Sequence, residues 1–246
     1  MFKIKGKYNS AIVYTENIEQ GAVNQIETLC SQEFVEDSII RIMPDVHSGA
    51  GCTIGTTMTI RDKAVPNLVG VDIGCGMEVI KLENHHMELQ KLDKLIYEKI
   101  PSGFNIREKE HKFNEEIDLN QLKCKEQVNL VRARRSIGTL GGGNHFIEAN
   151  KDSNGNLYIV IHSGSRHLGH EVASLYQEEA FKSLNKNSKV DLERLIAALK
   201  ESGRENEIQK ELKRKKAEIL TDIPKTLAYV SGELFNDYIH DMKIVQ

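Results

Sequence analysis

The sequence has 246 residues, with 33 lysines and arginines against 36 aspartates and glutamates, and a formal net charge of −3. This near-neutral balance excludes a protein that grips nucleic acid through bulk positive charge, although it is compatible with a local basic groove. Hydrophobic residues make up 39% of the chain. No apolar run approaches the roughly 20 residues that a membrane span needs, so we expect no membrane partner.

The four cysteines are widely spaced and form no Cys-x-x-Cys motif. In a chain of this length, that spacing argues against a disulfide scaffold and for a reducing compartment. The first 14 residues alternate in polarity like a strand and lack the apolar core of a signal peptide. We therefore expect a cytoplasmic protein.

Hydrophobic periodicity predicts an α+β (mixed α/β) fold in one domain, residues 1–246, without an internal repeat or a linker. Pro44 is expected to stop the strand that precedes it. In chain order, the patterns predict strands within 1–14, a helix over 17–36, strands over 39–43 and 54–60, a strand–turn–strand unit over 67–80, helices over 87–99 and 120–135, strands after the glycine loop of 136–148 and over 157–161, and helices over 168–184 and 224–246.

Residues 189–219 form a long charged segment in which leucines and isoleucines recur within a polar majority. Such a pattern is typical of a solvated helical hairpin. We therefore predict a helical insertion near residues 185–220.

Glycine is unevenly distributed along the chain. Twelve of the 18 glycines lie within residues 49–76, 138–143 and 164–169. Flexible backbone beside metal-capable side chains suggests a site built from loops. The side chains in or beside these patches are Asp45, His47, Asp72, Cys75, His145 and His162.

Asp72 and Cys75 share a short turn that also contains Gly74. The turn can aim a carboxylate and a thiolate at one point, and a thiolate can bridge two metal ions. The alternative is structural: Cys75 is a buried apolar side chain and Asp72 caps the turn.

Three consecutive glycines, residues 141–143, precede Asn144 and His145. Their backbone N–H groups can form a concavity for a phosphate, to which Asn144 could also donate. His145 could present a neutral imidazole to a metal. A flexible loop followed by a core histidine explains the same residues.

His162 ends an apolar run, and strand ends are where α/β proteins place catalytic groups. The Arg166 guanidinium suits a phosphate. His167 and His170 are followed by Glu171, but this order matches neither His-Glu-x-x-His nor its inverse. We interpret these two histidines as polar residues at a helix start.

Two further features carry open alternatives. His47 could be a metal ligand or could only hydrogen-bond within its turn. The arginines at 132, 134 and 135 could gather a phosphodiester backbone or form a solvated helix end. One aspartate, one cysteine and two histidines beside glycine-rich turns have transition-metal ligand chemistry, and a metal site beside a phosphate loop suits nucleotidyl transfer.

Four segments together resemble the RtcB family of RNA ligases, in order and in spacing, over essentially the whole chain. They are PDVHSGAG-x-x-IG (44–55), VGVDIGCGM (69–77), GTLGGGNHFIE (138–148) and HSGSRHLGH (162–170). The resemblance implies an RtcB-like catalytic domain with glycine-rich loops at strand ends.

The resemblance also implies an activity. Members join an RNA 2′,3′-cyclic phosphate or 3′-phosphate end to a 5′-hydroxyl end, with GTP and two Mn²⁺ ions, in tRNA splicing or RNA repair. A histidine forms a covalent guanylate, which passes to the RNA 3′-phosphate before the 5′-hydroxyl displaces GMP. The implied partners are tRNA halves or damaged RNA ends, GTP and an archease-like activator.

By the same resemblance, each matching position has an expected role. Cys75 would bridge both metals, Asp72 and His145 would bind one ion, and His162 would bind the other. Asp45 and Arg166 would act near phosphate. The implied guanylate-binding segment is Asn144, His145, Phe146, Ile147 and Glu148.

Two departures qualify the resemblance. The first motif lacks the prolines and lysine of many members, which suggests a divergent subgroup. The family's C-terminal motifs, including another histidine ligand and the guanylylated histidine, are not found, and His240 lacks their context. We therefore expect an N-terminal fragment or truncated member that forms no guanylate alone. The alternatives are a non-catalytic metal- or nucleotide-binding member and, more distantly, a metal-dependent hydrolase.

Overall fold

The structure is a computed structural model that describes residues 1–83, 86–212 and 223–246, without the side chains of residues 186–192. The chain forms two compact units, each assembled from separated stretches. Unit 1 comprises Met1–Val69 and Tyr176–Asn236, and unit 2 comprises Gly70–Leu175 and Asp237–Gln246. The combination of helices and sheets confirms the α+β prediction, while the assignment of residues 1–246 to one domain stays a prediction.

The main sheet of unit 1 has four strands in the order β1 (Phe2–Lys5), β2 (Ser10–Val13), β3 (Ile40–His47) and β4 (Ile54–Met58). β2 and β3 are parallel, whereas the two outer pairs are antiparallel. A parallel pair needs a crossover connection, and α1 (Gln20–Cys30) lies within it.

The core of unit 1 forms where α1 packs on this sheet. Ile26 and Leu29 lie on one face of the helix and are fully buried, as are Val13, Ile40 and Ile42 on the strands. The helix repeats its apolar residues at intervals of three or four, and the strands repeat theirs at intervals of two. The observed strands and helix confirm the elements that these two periods predict at the start of the chain.

The predicted strand stop at Pro44 is wrong. β3 continues through Pro44 to His47, with a shift in its register against β4 between Ile42 and His47. Proline has no N–H to donate to a ladder, and an irregularity in the pairing is where a strand tolerates it.

The remaining elements of unit 1 correct two further predictions. Residues 66–69 form a helical turn, α2 (Pro66–Val69), where a strand was predicted. The predicted last helix begins at Gly232 rather than at residue 224, because a 3₁₀ turn (Lys225–Leu227) and a short strand precede it. That strand, β9 (Val230–Ser231), pairs with β5 (Lys63–Ala64), and the helix is α7 (Gly232–Val245).

Two helices precede β9 in the chain, namely α5 (His167–Leu184) and α6 (Lys186–Glu201). α6 agrees with the first part of the predicted helical insertion, whereas residues 213–222 of that insertion lie outside the described residues. Within the described ranges, no helix is both long and apolar enough to cross a membrane.

Unit 2 is organised around a three-stranded antiparallel sheet in the order β6 (Gly76–Lys81), β8 (Leu157–Ser163) and β7 (Phe146–Lys151). On the central strand, His162 pairs with Met77 on one side and with Phe146 on the other. The end of β8 therefore lies between the starts of β6 and β7. This register brings the segments before β6 and β7 to one end of the sheet.

The helices of unit 2 include α3 (Leu89–Lys99) and α4 (Leu130–Ser136). The predicted helix over 120–135 is therefore only half right, since 3₁₀ turns occupy Leu119–Gln121 and Lys125–Gln127. Asn129 starts α4 because its side-chain oxygen accepts a hydrogen bond from the Arg132 N–H at 2.9 Å.

The last helix is anchored in unit 2 by a buried carboxylate. Asp241 is fully buried and accepts hydrogen bonds from the backbone N–H groups of Lys123 at 2.7 Å and Cys124 at 3.0 Å. Tyr238, one turn earlier, is also fully buried. A buried charge is tolerated when donors satisfy it, so this contact fixes the end of α7 against the 3₁₀ turns.

We expect Asp241→Asn to lower the free energy of unfolding by about 2 kcal/mol. The substitution keeps the shape of the side chain, but its amide NH₂ group must face one of the two backbone donors. Urea unfolding followed by circular dichroism measures the change. Asp237→Asn, on the same helix, is the control. Equal stability of Asp241→Asn and the unaltered protein would contradict the anchoring role.

Candidate metal centre

The first half of the site is the turn that joins Asp72 to Cys75. The Cys75 N–H donates to the Asp72 carbonyl oxygen at 3.2 Å. Gly74 has a φ of +80°, as the third residue of a type II turn requires. A Cβ at Gly74 would also lie 2.9 Å from the carbonyl oxygen of Val245. Glycine is therefore needed for the turn that presents the thiol and the carboxylate together.

The predicted ligand residues of unit 2 lie together. The Cys75 Sγ atom is 2.8 Å from His162 Nε2 and 3.9 Å from His145 Nε2. These three ligand atoms all lie within 4.8 Å of one another. The Asp72 Oδ2 atom is 2.9 Å from His145 Nε2. The sequence predicted this group of side chains, and the sheet register explains why they meet.

Hydrogen bonds orient the two imidazoles differently. The Nδ1–H group of His162 donates to the Asn144 carbonyl oxygen at 3.0 Å, which leaves the Nε2 lone pair directed at Cys75. Such an outer hydrogen bond fixes the tautomer of a metal-binding histidine. His162 is therefore already in the form that binds a metal ion.

His145 is held in the opposite form. Its Nδ1 accepts a hydrogen bond from Arg166 Nη2 at 2.6 Å, so a neutral ring carries its proton on Nε2 and donates it to Asp72. A metal ion at Nε2 needs that lone pair, so the proton must leave this nitrogen. The Arg166 contact must then change as well.

The donor set fits a divalent transition metal. Thiolate and imidazole are ligands for such ions, and Asp72 adds a carboxylate oxygen. Desolvation of the Cys75 sulfur raises the pKa of its thiol, and the neighbouring Asp72 raises it further, while the charge of Arg166 lowers it. Metal binding must therefore displace a proton from the sulfur.

Arg166 is held tightly beside the ligands. Its backbone has a φ of +61°, which is strained for a residue with a side chain, and its Nε–H donates to the Gly164 carbonyl oxygen at 3.1 Å. A Cβ at Gly141 would collide with the Arg166 guanidinium. Gly141 therefore makes room for the arginine.

Two other glycines allow the segment after β8 to approach the Asp72–Cys75 turn. A Cβ at Gly164 would lie 2.7 Å from Asp72 Oδ1. A Cβ at Gly169, in the first turn of α5, would lie 3.0 Å from both the backbone nitrogen and the carbonyl oxygen of Ile73. Close packing at these positions accounts for part of the glycine clustering seen in the sequence.

The remaining predicted residues have other surroundings. Asn144 contacts the site through its backbone carbonyl, and the Phe146 ring lies 5.4 Å from the His162 ring. Ile147 follows on β7, and Glu148 accepts a hydrogen bond from an asparagine of the same strand. The guanylate-binding role of this segment stays a prediction.

Asp45 belongs to unit 1, on β3, and not to the group of ligands in unit 2. Its carbonyl oxygen accepts a hydrogen bond from His47 Nδ1 at 2.8 Å. This contact favours the local hydrogen-bonding interpretation of His47. The catalytic role of Asp45 stays a prediction.

Sequence reasoning missed the loop at residues 101–103, which is hydrogen-bonded to the glycine-rich segment. The Gly103 N–H donates to the Gly141 carbonyl oxygen at 2.7 Å, and the Leu140 N–H donates to the Pro101 carbonyl oxygen at 2.9 Å. The only signal for this loop is the Pro-Ser-Gly composition of residues 101–103, which indicates a turn and no particular chemistry.

We expect Gly169→Ala to destabilise the protein by about 1 to 3 kcal/mol because the new Cβ meets the Ile73 backbone. In a helix without such a contact, the same change stabilises by about 1 kcal/mol. Gly21→Ala on α1 is the control, since its Cβ would meet only the rotatable Ser48 side chain. Thermal unfolding gives the sign, and a stabilised Gly169→Ala variant would contradict the close approach.

We expect Cys75→Ala to lower the amount of Mn²⁺ or Zn²⁺ bound per chain, because the central thiolate of the site is lost. Equilibrium dialysis with elemental analysis measures the stoichiometry. Cys52→Ala, which removes a buried thiol of unit 1, is the control. Unchanged metal content in Cys75→Ala would rule out the thiolate as a ligand.

Known proteins match this chain over most of its length. The family model described as tRNA-splicing ligase RtcB matches residues 25–245. The RNA-splicing ligase RtcB of Escherichia coli is 30% identical over 187 residues, which cover 68% of this chain and 46% of that protein. The tRNA-splicing ligase RtcB of Aeropyrum pernix is 28% identical over 252 residues, with 77% of this chain and 52% of that protein covered.

The chain spans about half the length of these curated relatives. The family match nevertheless includes every glycine-rich motif of unit 2 and all the side chains that converge at the end of its sheet. The chain belongs to the RtcB family.

Proposed function

We propose that this chain carries the metal-binding part of an RNA ligase site that joins 2′,3′-cyclic phosphate or 3′-phosphate ends to 5′-hydroxyl ends, with GTP and Mn²⁺. One structural observation carries the proposal, namely the convergence of Cys75, His145 and His162 at one end of a sheet. The names of the relatives, RNA-splicing and tRNA-splicing ligases, support the reaction class.

In this proposal, Cys75, His162, His145 and Asp72 would hold the Mn²⁺ ions, with the Cys75 thiolate as a central ligand. The position of the sulfur within 3.9 Å of both imidazoles supports a shared ligand. Bound divalent ions would neutralise phosphate charge and orient the groups of an in-line displacement. The hydrogen bond from His162 Nδ1 to the Asn144 carbonyl oxygen leaves the Nε2 lone pair available to a metal ion.

Arg166 is the proposed phosphate-binding residue. Its Nη1 group is buried and has no hydrogen-bond partner among the described residues. Burial lowers the pKa of the guanidinium, against the charges of Asp72 and Cys75, but arginine stays protonated in proteins. A buried cationic donor without an acceptor favours an anionic ligand at this place.

Family membership supports the proposed GTP and RNA partners. The segment from Asn144 to Glu148 is the proposed guanylate-binding segment, and tRNA halves or damaged RNA are the proposed substrates. An archease-like protein is the proposed activator, and the cytoplasm is the proposed location.

The second candidate is a family member that binds metal or nucleotide without forming a guanylate. One observation favours it. His240, the only histidine after His170, donates from Nε2 to the Gln121 carbonyl oxygen at 3.0 Å. This bond gives the ring a structural role within α7, rather than that of a nucleophile.

We expect no covalent GMP on this chain after incubation with Mn²⁺ and GTP labelled in its α-phosphate. Reversible binding of the same GTP is expected, and it should require Mn²⁺. Denaturing gels detect the covalent label, and equilibrium dialysis detects the reversible binding. Cys75→Ala should lose the reversible binding, and Cys52→Ala should retain it.

The outcomes distinguish a chain that has its own nucleophile from one that only binds metal and nucleotide. A stable label on the chain would support the ligase with its own nucleophile and contradict our expectation. Mn²⁺-dependent binding without a label supports the incomplete site or the non-catalytic member. If GTP does not bind even with Mn²⁺, the proposed guanylate role of residues 144–148 is overturned.

A further inference from the structure

A cavity of about 650 Å³ in unit 2 opens beside the metal centre. Asp72 and His145 border both the cavity and the group of metal ligands. The rest of its wall includes residues to which the proposed function gives no role. Among them are Phe104, Arg132, His167 and His170.

We propose that this cavity binds the terminal nucleotide of a single-stranded RNA. In this assignment, the base stacks on Phe104, and Arg132, His167 and His170 donate hydrogen bonds to the adjoining phosphodiester. The inference rests on the proposed function, since it takes the RNA end as the ligand of the neighbouring metal centre.

The first observation is the presentation of Phe104. Its side chain is 94% exposed, although it borders the cavity. A single exposed phenylalanine is ordinary in itself. This one is held by Arg132, whose Nη2 donates to the Phe104 carbonyl oxygen at 3.1 Å, and by the bond from the Gly103 N–H to the Gly141 carbonyl. Both hydrogen bonds anchor the backbone at this position, and an exposed aromatic ring on an anchored backbone offers a face on which an unstacked base can lie.

The second observation is the pair of histidines in the first turn of α5. The rings of His167 and His170 are stacked, with their centroids 5.6 Å apart and an angle of 12° between their planes. Glu171 lies near them, with Oε1 3.8 Å from His167 Nε2, while its Oε2 accepts from the Asn129 N–H at 3.2 Å. The pair therefore offers ring N–H donors from an ordered position at the cavity wall.

The third observation is the charge of the wall. The only acidic side chain among the described residues of the lining is Asp72, and its carboxylate is engaged by His145. The surplus of donors favours an anionic ligand. The arginine and histidine side chains of the lining are Arg132, His145, Arg166, His167 and His170.

Because the cavity borders the metal centre, the terminal phosphate and the nucleoside of the RNA can occupy the two places together. A terminal phosphate at the metal centre would leave the nucleoside that carries it in the cavity. The base must be unpaired to lie on Phe104, which favours a single-stranded end over a duplex. The volume lies within the range of pockets for small ligands, about 300 to 1,000 Å³, and suits one nucleotide rather than a longer stretch of strand.

The test measures the binding of a short fluorescent single-stranded RNA with a 3′-phosphate to the full chain, by anisotropy, with a chelator present. Phe104→Ala should raise the Kd by about 5- to 150-fold, the range measured for loss of one base–aromatic stack. The double variant His167→Ala/His170→Ala should also weaken binding. Circular dichroism verifies that each variant is folded.

Two variants are matched controls. Tyr97→Ala removes an aromatic side chain that is 90% exposed on α3 and does not border the cavity. His86→Ala removes an exposed histidine elsewhere in unit 2. Both should bind RNA like the unaltered chain. If Tyr97→Ala lost as much RNA affinity as Phe104→Ala, the effect of Phe104 would be one of general surface contact. That result would overturn the assignment.

An RNA with an abasic 3′-terminal nucleotide identifies the stacked base. It should bind the unaltered chain more weakly, and Phe104→Ala should then have no further effect. Equal affinity of Phe104→Ala and the unaltered chain for the complete RNA would overturn the assignment. So would a Phe104→Ala variant that loses GTP binding but retains RNA binding.

The metal measurement on Cys75→Ala is made without RNA, and the RNA measurement is made without metal. Failure of the metal centre and failure of this cavity are therefore read separately.

Discussion

The candidate metal centre depends on the antiparallel register of three strands. β8 lies between β6 and β7, and its His162 pairs with Met77 on one side and Phe146 on the other. Cys75 and His145 immediately precede those two partners' strands, so ligands separated by 70 and 87 positions in the chain meet at one end of the sheet. A slip of one residue would send His162 to the opposite face of the sheet and disperse the group.

Close packing around this register explains why glycine is concentrated near the ligands. Gly141 leaves space for Arg166, Gly164 for the Asp72 carboxylate, and Gly169 for the Ile73 backbone. The sequence suggested flexible loops, but at these positions glycine serves mainly to remove a Cβ from a crowded contact. Arg166 has a strained, positive φ in this segment, and its guanidinium holds His145 in one tautomer.

Local sequence patterns predicted many elements because their physical causes are local. Apolar residues at intervals of two or three to four gave the early strands and α1. The errors arose where tertiary context overrides a local rule. Pro44 sits in a strand because the register shifts beside it, and the last helix begins late because β9 pairs with β5.

The sequence by itself determined the residue types of the site, their proximity to strand ends and the family. The tertiary structure decided which lone pairs are available: it bonds His162 Nδ1 to a backbone carbonyl and His145 Nδ1 to Arg166. It also decided that Asp45 belongs to unit 1 and that Phe104 borders the cavity of unit 2. Composition and periodicity reflect interactions between near neighbours, whereas these distances depend on strand register and on close approaches between distant segments.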